Sequence, residues 1–170
     1  MKTQDKCFVS VVMGSDSDLG VMEESVKILK DFQVPCEVIL TSAHRSPERT
    51  TAFAREAAGR GVRVIIVGAG AAAHLAGVIA SQTLLPVIGV PIDATALQGM
   101  DALLSTVQMP GGVPVAAMAI GKAGAKNAAL MAVRILALND KALLKQLLDY
   151  IEKMARDVER KQASLNAAST

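Results

Sequence analysis

The sequence predicts an α/β fold of three layers, with a central parallel sheet, helices on both of its faces and one long helix added at the C-terminus. Two observations predict it. Five apolar, β-branched runs alternate with stretches whose apolar residues recur at three- and four-residue spacing, and strand-helix alternation of this kind builds a parallel sheet covered on both sides. Three of the strand-to-helix junctions are also short and rich in Gly, Ser, His and charge. In an open parallel sheet all such loops emerge at one edge, beside the free N–H groups of helix N-termini, and that edge is where ligands bind.

The first run, Phe8–Met13, ends at Gly14-Ser15-Asp16-Ser17-Asp18 and gives way to helical spacing over Leu19–Phe32. Ser17 is the expected N-cap, with Asp18 in the first turn behind it. The second strand, Glu37–Thr41, leads through Ser42-Ala43-His44-Arg45-Ser46-Pro47 to a helix over Pro47–Arg60, where Ser46 caps and Pro47 takes the first helical position. A third strand, Arg63–Val67, runs into Gly68-Ala69-Gly70-Ala71-Ala72-Ala73-His74 and a helix over His74–Gln82. Pro86–Val90 and Pro114–Ala119 complete the sheet, with helices over Met100–Val107 and Ala123–Leu138. The last of these is apolar nearly all round, interrupted mainly by Lys126, Asn127 and Arg134, so it should be buried on two sides, by the sheet and by another subunit. After Asn139-Asp140 a long amphipathic helix carries Leu143, Leu147, Ile151 and Met154 on one stripe, with Leu144 and Leu148 beside it. From about Lys161 the stripe lapses and the tail should fray. No repeat or linker interrupts the chain, so residues 1–170 read as one catalytic domain, with 140–170 a helical arm and frayed tail. Right-handed crossovers give a strand order of 2-1-3-4-5, which sets the first strand between the second and third and makes the three loops neighbours.

Composition narrows the partner. A formal net charge of +2, with Lys and Arg evenly spread, does not fit a nucleic-acid or membrane-surface protein, and 2% aromatic residues provide no base-stacking platform. A small polar ligand remains. The hydrophobic fraction of 51%, with no Trp and one Tyr, suits close packing of Ala, Val, Leu, Ile and Met, in an oligomer or in an Ala-rich monomer. Cys7 and Cys36 stand near the starts of the first two strands without Cys or His partners at metal-binding spacing, and read as small buried hydrophobes. The Lys2, Lys6 start and its short apolar run lack a cleavage site, and no stretch is long enough to span a bilayer. The expected location is the cytoplasm.

Each loop brings different chemistry. Two Ser and two Asp in the first exceed what a cap requires: the hydroxyls beside helix N–H groups suit a phosphate, and Asp18 suits the hydrogen bonds of a ribose diol. In the second, His44 is the candidate acid–base group, since an imidazole titrates near neutral pH, and Arg45 offers a planar fork for phosphate. The third admits two readings. Gly68, Gly70 and Ala73 match a dinucleotide fingerprint after a strand, with Asp93 about 20 residues further on. Alternatively, these glycines let backbone pass close beside a compact ligand, and His74 is structural or ligand-adjacent. Gln108-Met109-Pro110-Gly111-Gly112-Val113-Pro114 precedes a strand and belongs to the opposite edge unless it folds back.

Taken together, V-M-G-S-D-S-D, S-A-H-R-S-P, G-A-G-A-A-A-H-L-A-G, Q-M-P-G-G-V-P-V and A-G-A-K-N-A-A-L resemble the bacterial 5-(carboxyamino)imidazole ribonucleotide mutases of purine biosynthesis, over residues 8 to about 140. The resemblance implies flavodoxin-like subunits in a homo-octamer, no cofactor or metal, and transfer of a carboxylate from the exocyclic nitrogen of an aminoimidazole ribonucleotide to ring carbon 4. By motif position it implies that Ser15, Ser17, Asp18, Ser42 and Arg45 hold the ribose phosphate part. Gly70, Ala71, His74 and Leu75 complete the substrate site, and His44 is the acid–base. Three positions depart from the family pattern: Ser46 where Thr is common, Ala71 where Gly is common and Ala76 where Pro is common. Ser keeps the cap. Ala71 either trims the pocket or shows that this residue does not need positive φ, and Ala76 removes a rigid ring from the helix entry. The related carboxylases that use free carbon dioxide tend to have Lys after the loop His and a Ser-Asn pair in the third loop, where this chain has Arg45 and Ala71-Ala72. A nucleotide-binding module without catalysis is the reading from another class.

Overall fold

Valine and isoleucine crowd the central strands because those strands are covered on both faces: Val9, Val11, Val12, Val64, Ile65, Ile66 and Val67 are all at most 1% exposed. The computed structural model describes residues 8–168. Strands β1 (Phe8–Met13), β2 (Cys36–Leu40), β3 (Val62–Gly70), β4 (Val87–Ile92) and β5 (Ala116–Ala117) pair in parallel in the order β2-β1-β3-β4-β5. That is the order right-handed crossovers produce. The helices are α1 (Leu19–Asp31), α2 (Pro47–Glu56), α3 (Leu75–Ala80), α4 (Met100–Val107), α5 (Gly121–Ala137) and α6 (Lys141–Ala168), with short 3-10 turns at Asp16–Asp18 and Ala58–Arg60.

The described chain falls into two units, divided between Ala132 and Val133 within α5. In the first, side chains alternate across the strands. Val12, Ile65, Val67 and Ala69 join a cluster with Ala54 of α2, Leu75 and Ile79 of α3 and Ala102 of α4. The other face takes α1 and the start of α5, which are tied together where the Ser25 hydroxyl donates to the Ala125 carbonyl at 2.7 Å.

Several boundaries differ from the sequence reading, each for a local reason. The third strand continues to Gly70, because pairing with β4 runs through Gly70↔Ile92 and backbone pairing needs no side chain. Gly68 is thus a strand residue. A Cβ there would stand 2.3 Å from the Met22 sulfur, so this glycine lets α1 pack on the sheet. The last strand shrinks to two residues, paired to Ile88 and Gly89 after a Pro114 that has no N–H to donate. The Gly-rich turn before it does fold back, with Met109 against Gly77 of α3. On α5, Ala125, Ala128, Ala129 and Ala132 are buried, while Lys122, Lys126, Asn127 and Met131 are exposed, so burial in the single chain is one-sided.

In the second unit Asp140 caps α6, accepting from the N–H groups of Ala142 and Leu143 at 2.9 and 3.0 Å. Past Lys161, where the apolar stripe lapses, the helix continues to Ala168. Pairs one turn apart, Asp157 with Arg160 and Gln162 with Asn166, accompany a run of good helix formers, and neither needs an apolar stripe. The stripe itself divides. Leu143 and Leu147 are buried, whereas Leu144, Leu148, Ile151 and Met154 are 44–55% exposed.

Cys36 is half-buried and free, and burial pushes its thiol above the ordinary range, as suits an inert packing residue. Cys7, Lys2 and Lys6 lie outside the described residues. Among those residues no helix is long and apolar enough to cross a membrane.

Candidate active site

The strand order places the ends of β1, β2 and β3 side by side, and their loops meet there. After Gly14 the chain enters the 3-10 turn Asp16–Asp18, which runs directly into α1. Ser15, extended at φ −147°, is the residue that precedes the turn, so Ser15 and not Ser17 is the cap. Its hydroxyl accepts from the Ser17 N–H at 3.4 Å, and the Asp18 carboxylate accepts from the Ser15 N–H at 3.2 Å, a reciprocal capping box. The Ser17 hydroxyl then donates to Ser15 Oγ at 2.8 Å. Asp18 is only 4% exposed, and burial raises its carboxyl above the usual value against the hydrogen bonds from Ser15, Ser17 and Gly14.

In the second loop Ser46 makes no side-chain cap to α2, although Pro47 does begin the helix. Its hydroxyl instead closes the loop on itself, accepting from the Ser42 N–H at 2.9 Å and lying 3.3 Å from the Thr41 hydroxyl. Thr41 is anchored in turn by the buried Thr50, at 2.9 Å. His44 and Arg45 are carried at the exposed tip of this tied loop. The Arg45 N–H donates to Ser42 Oγ at 3.2 Å, and its guanidinium reaches the Gly14 carbonyl at 3.2 Å, joining the second loop to the first. Among the described residues it forms no ion pair.

The third loop turns through Ala71 at φ +53°. The position therefore does use the left-handed region, although it carries a Cβ, at a cost of roughly 1–2 kcal/mol. The N–H groups of Ala73 and His74 donate to the carbonyls of Ala71 and Ala72, both at 2.8 Å, and α3 follows.

One cleft of about 190 Å³ collects these elements. Ser15, Ser17, Asp18, Ser42, His44, Arg45, Gly70, Ala71 and Leu75 all line it. His74 does not; its Nδ1 lies 2.8 Å from His44 Nε2, with the rings edge to face at 78° and 5.0 Å between centroids. Sequence reasoning missed Ala94 in the lining. The signal was available, because Ala94 follows β4, whose loop emerges at the same edge. It also missed the contact between the two imidazoles, for which no local pattern exists.

The arrangement has a buried carboxylate, hydroxyls, an unpaired guanidinium and an imidazole around one opening, which suits a phosphorylated, hydroxyl-bearing molecule and a proton transfer. It does not suit the dinucleotide reading. Gly68 is spent on Met22 and Gly70 is paired within the sheet, so the fingerprint's glycines make no phosphate turn. No three His, Cys, Asp or Glu side chains cluster at metal-binding range among the described residues.

Residues 8–157 match the family described as AIR carboxylase. The N5-carboxyaminoimidazole ribonucleotide mutase of Pyrococcus horikoshii is 54% identical over 161 residues, covering 95% of this chain and 90% of that protein. The protein of the same name from Escherichia coli is 50% identical over 150 residues, covering 88% and 89%. Among solved structures, Treponema denticola PurE superposes with a TM-score of 0.84 at 28% identity, covering 94% of this chain and 98% of that one.

Proposed function

The chain belongs to the AIR carboxylase family, and from that premise we propose how its cleft carries out the reaction. The protein is an enzyme of purine biosynthesis that performs the N5-carboxyaminoimidazole ribonucleotide mutase reaction. Arg45 and the hydroxyls of Ser15, Ser17 and Ser42 hold the phosphate, and Asp18 accepts from the ribose hydroxyls. The observation that supports this is the convergence of the Arg45 guanidinium, which among the described residues is bound only to a backbone carbonyl, with His44 and Asp18 on one opening.

Cleavage of the bond between the exocyclic nitrogen and its carboxylate releases carbon dioxide and leaves an electron pair on nitrogen, which takes a proton. Ring carbon 4, electron-rich beside the amino group, attacks that carbon dioxide and then loses its own proton. His44 gives the first proton and takes the second, which asks one group to serve as acid and then as base. The Gly70–Ala71 backbone and Leu75 wall the opening, so the carbon dioxide is recaptured where it forms.

The test is to run the carboxyamino substrate in isotopically labelled bicarbonate and to measure label in the first-turnover product by mass spectrometry. Little label is expected; label approaching that of the medium means an open site that works as a carboxylase with free carbon dioxide.

The same reading includes a homo-octamer in the cytoplasm. Its support is the cleft volume of about 190 Å³, below the roughly 300–1,000 Å³ of usual small-molecule pockets, together with the exposed Met100, Leu104, Val107 and Met131. Light scattering that finds a stable monomer at micromolar concentration refutes it.

A further inference from the structure

We infer that His74 is a positioning residue for His44, occupying its Nε2 and leaving Nδ1 as the nitrogen free for substrate; this rests on the reading of His44 as the acid–base group. The two residues are the chain's only histidines, 30 positions apart, on different loops. Their contact of 2.8 Å between Nε2 of His44 and Nδ1 of His74 has one physical meaning. Two facing lone pairs repel and two facing N–H groups collide, so one proton lies between the rings.

A neutral imidazole has one donor and one acceptor, and the shared proton therefore fixes both tautomers at once. Either His44 donates from Nε2 and keeps a lone pair at Nδ1, or His74 donates from Nδ1 and His44 has its single proton at Nδ1. The first form is a base at Nδ1, and the pair carrying one further proton, with the shared proton on His74 and another on His44 Nδ1, is the donor there; the reaction requires one of each. When Nδ1 of the first form takes the proton from carbon 4, the shared proton can pass from His44 Nε2 to His74 Nδ1. The positive charge then resides on the second ring, and His44 is neutral with its proton at Nδ1, ready to give it up.

The placement of His74 supports this role over the two alternatives, ligand binding and folding. It is absent from the cleft lining, and its side chain is exposed. Its backbone is nonetheless held, with the N–H donating to the Ala72 carbonyl at 2.8 Å and the carbonyl accepting from Val78 at 2.9 Å. A ring on a fixed backbone, touching the acid–base residue from outside the cleft, is suited to orienting that residue.

With only two histidines, a chain labelled with ¹⁵N-histidine shows four ring nitrogens, and the test uses them in the ligand-free protein beside steady-state kinetics. In the unsubstituted protein, His44 should show one hydrogen-bonded tautomer. In His74→Ala its two nitrogens should move toward averaged values, with kcat lower by about 10- to 100-fold, by analogy with the loss when a partner that orients a metal-bound imidazole is removed, and KM nearly unchanged. His74→Asn places an amide close to the lost Nδ1 and should restore both the His44 signals and most of kcat. A rise in KM at constant kcat overturns the inference in favour of ligand binding. So do His44 nitrogens that are unmoved in His74→Ala. If His44→Asn retains full turnover, the acid–base reading itself falls, while the nitrogen spectra still report whether His74 sets the tautomer.

Discussion

Glu37 and Arg60 at one end of the sheet, and Asp18 and Arg45 at the other, are the same pair of chemical groups in opposite states. Glu37 accepts from both guanidinium nitrogens of Arg60 at 3.0 Å and from the Ser10 hydroxyl at 2.6 Å, and the guanidinium also lies 5.5 Å from the centre of the Phe53 ring. Glu37 and Arg60 thus satisfy one another. At the cleft, among the described residues, the Arg45 guanidinium reaches a single backbone carbonyl, and Asp18 accepts from N–H and O–H groups with no cation beside it. Unused bonding capacity held on tied loops is what a ligand can take up, whereas the satisfied pair can only hold β2 to the turn before β3.

The ionisation of the two carboxyls follows. Burial works against the charge of Glu37, but Arg60 and Ser10 overcome it and hold the group below the usual 4.5. At Asp18 burial prevails, and the group lies above the usual 3.8. A lowered carboxyl contributes stability that is present above its unfolded value and lost as pH falls through the folded one. A raised carboxyl contributes stability that is present at low pH and lost as pH rises through its folded value.

Four measurements break or sharpen this contrast, in falling order of effect. His44→Asn should lower turnover by about 10² to 10⁴-fold, the worth of a positioned acid–base group, with ribonucleotide binding and the circular dichroism spectrum retained. Equal loss of binding and rate removes the distinction between a chemical and a binding residue.

Arg45→Ala and Arg60→Ala remove the same group from the two ends. The first should weaken a phosphorylated ligand by about 10- to 100-fold, since a charged hydrogen bond is worth about 1.5–3 kcal/mol, and the dephosphorylated nucleoside hardly at all, by calorimetry. The second should leave binding alone and cost less than about 1 kcal/mol in urea unfolding, because both side chains of that pair are part-exposed. Similar losses for both ligands in Arg45→Ala exclude the phosphate role.

Acid unfolding separates the carboxyls by sign. Glu37→Gln should lower stability at neutral pH and flatten its decline below about pH 4.5. Asp18→Asn, which keeps an acceptor for the Ser15 N–H, should raise neutral-pH stability and erase the fall in stability that the buried carboxyl produces as pH climbs above 3.8. The same sign in both variants means that Asp18 is paired after all.

The smallest effect belongs to Ala71→Gly. Relief of a left-handed alanine gains roughly 1–2 kcal/mol, and the added freedom of the unfolded glycine returns about 0.5–1 kcal/mol, so thermal unfolding should show a modest net gain. A clear loss of stability means that the Ala71 Cβ has packing worth more than its strain.

Much of the site could be read from the chain because it is built from loop tips, and loop tips in a parallel sheet are ordered by the strands that carry them. Ser15, Ser42, His44 and Ala71 follow three strands whose neighbour relations come from handedness alone. The side-chain pattern points to Ser17, two residues past the observed cap at Ser15, because a 3-10 turn joins α1 without a break and pattern does not separate the two helix types. The Gly68 pattern suits a ligand-facing glycine equally well, because a glycine's use depends on what lies across from it, here Met22 from a helix 46 positions earlier in the chain.

The alternation of strands and helices, the strand order and the grouping of three polar loops are legible in the chain alone, since each depends on local periodicity, turn residues or chirality. What those groups do to one another emerges with the packed fold: Arg45 bridges to Gly14, Asp18 is buried, Ala71 is strained and His44 meets His74. The physical reason is range. Periodicity and capping act over a turn or two of chain, whereas desolvation and side-chain hydrogen bonds depend on distances that exist only once the strands have been laid side by side.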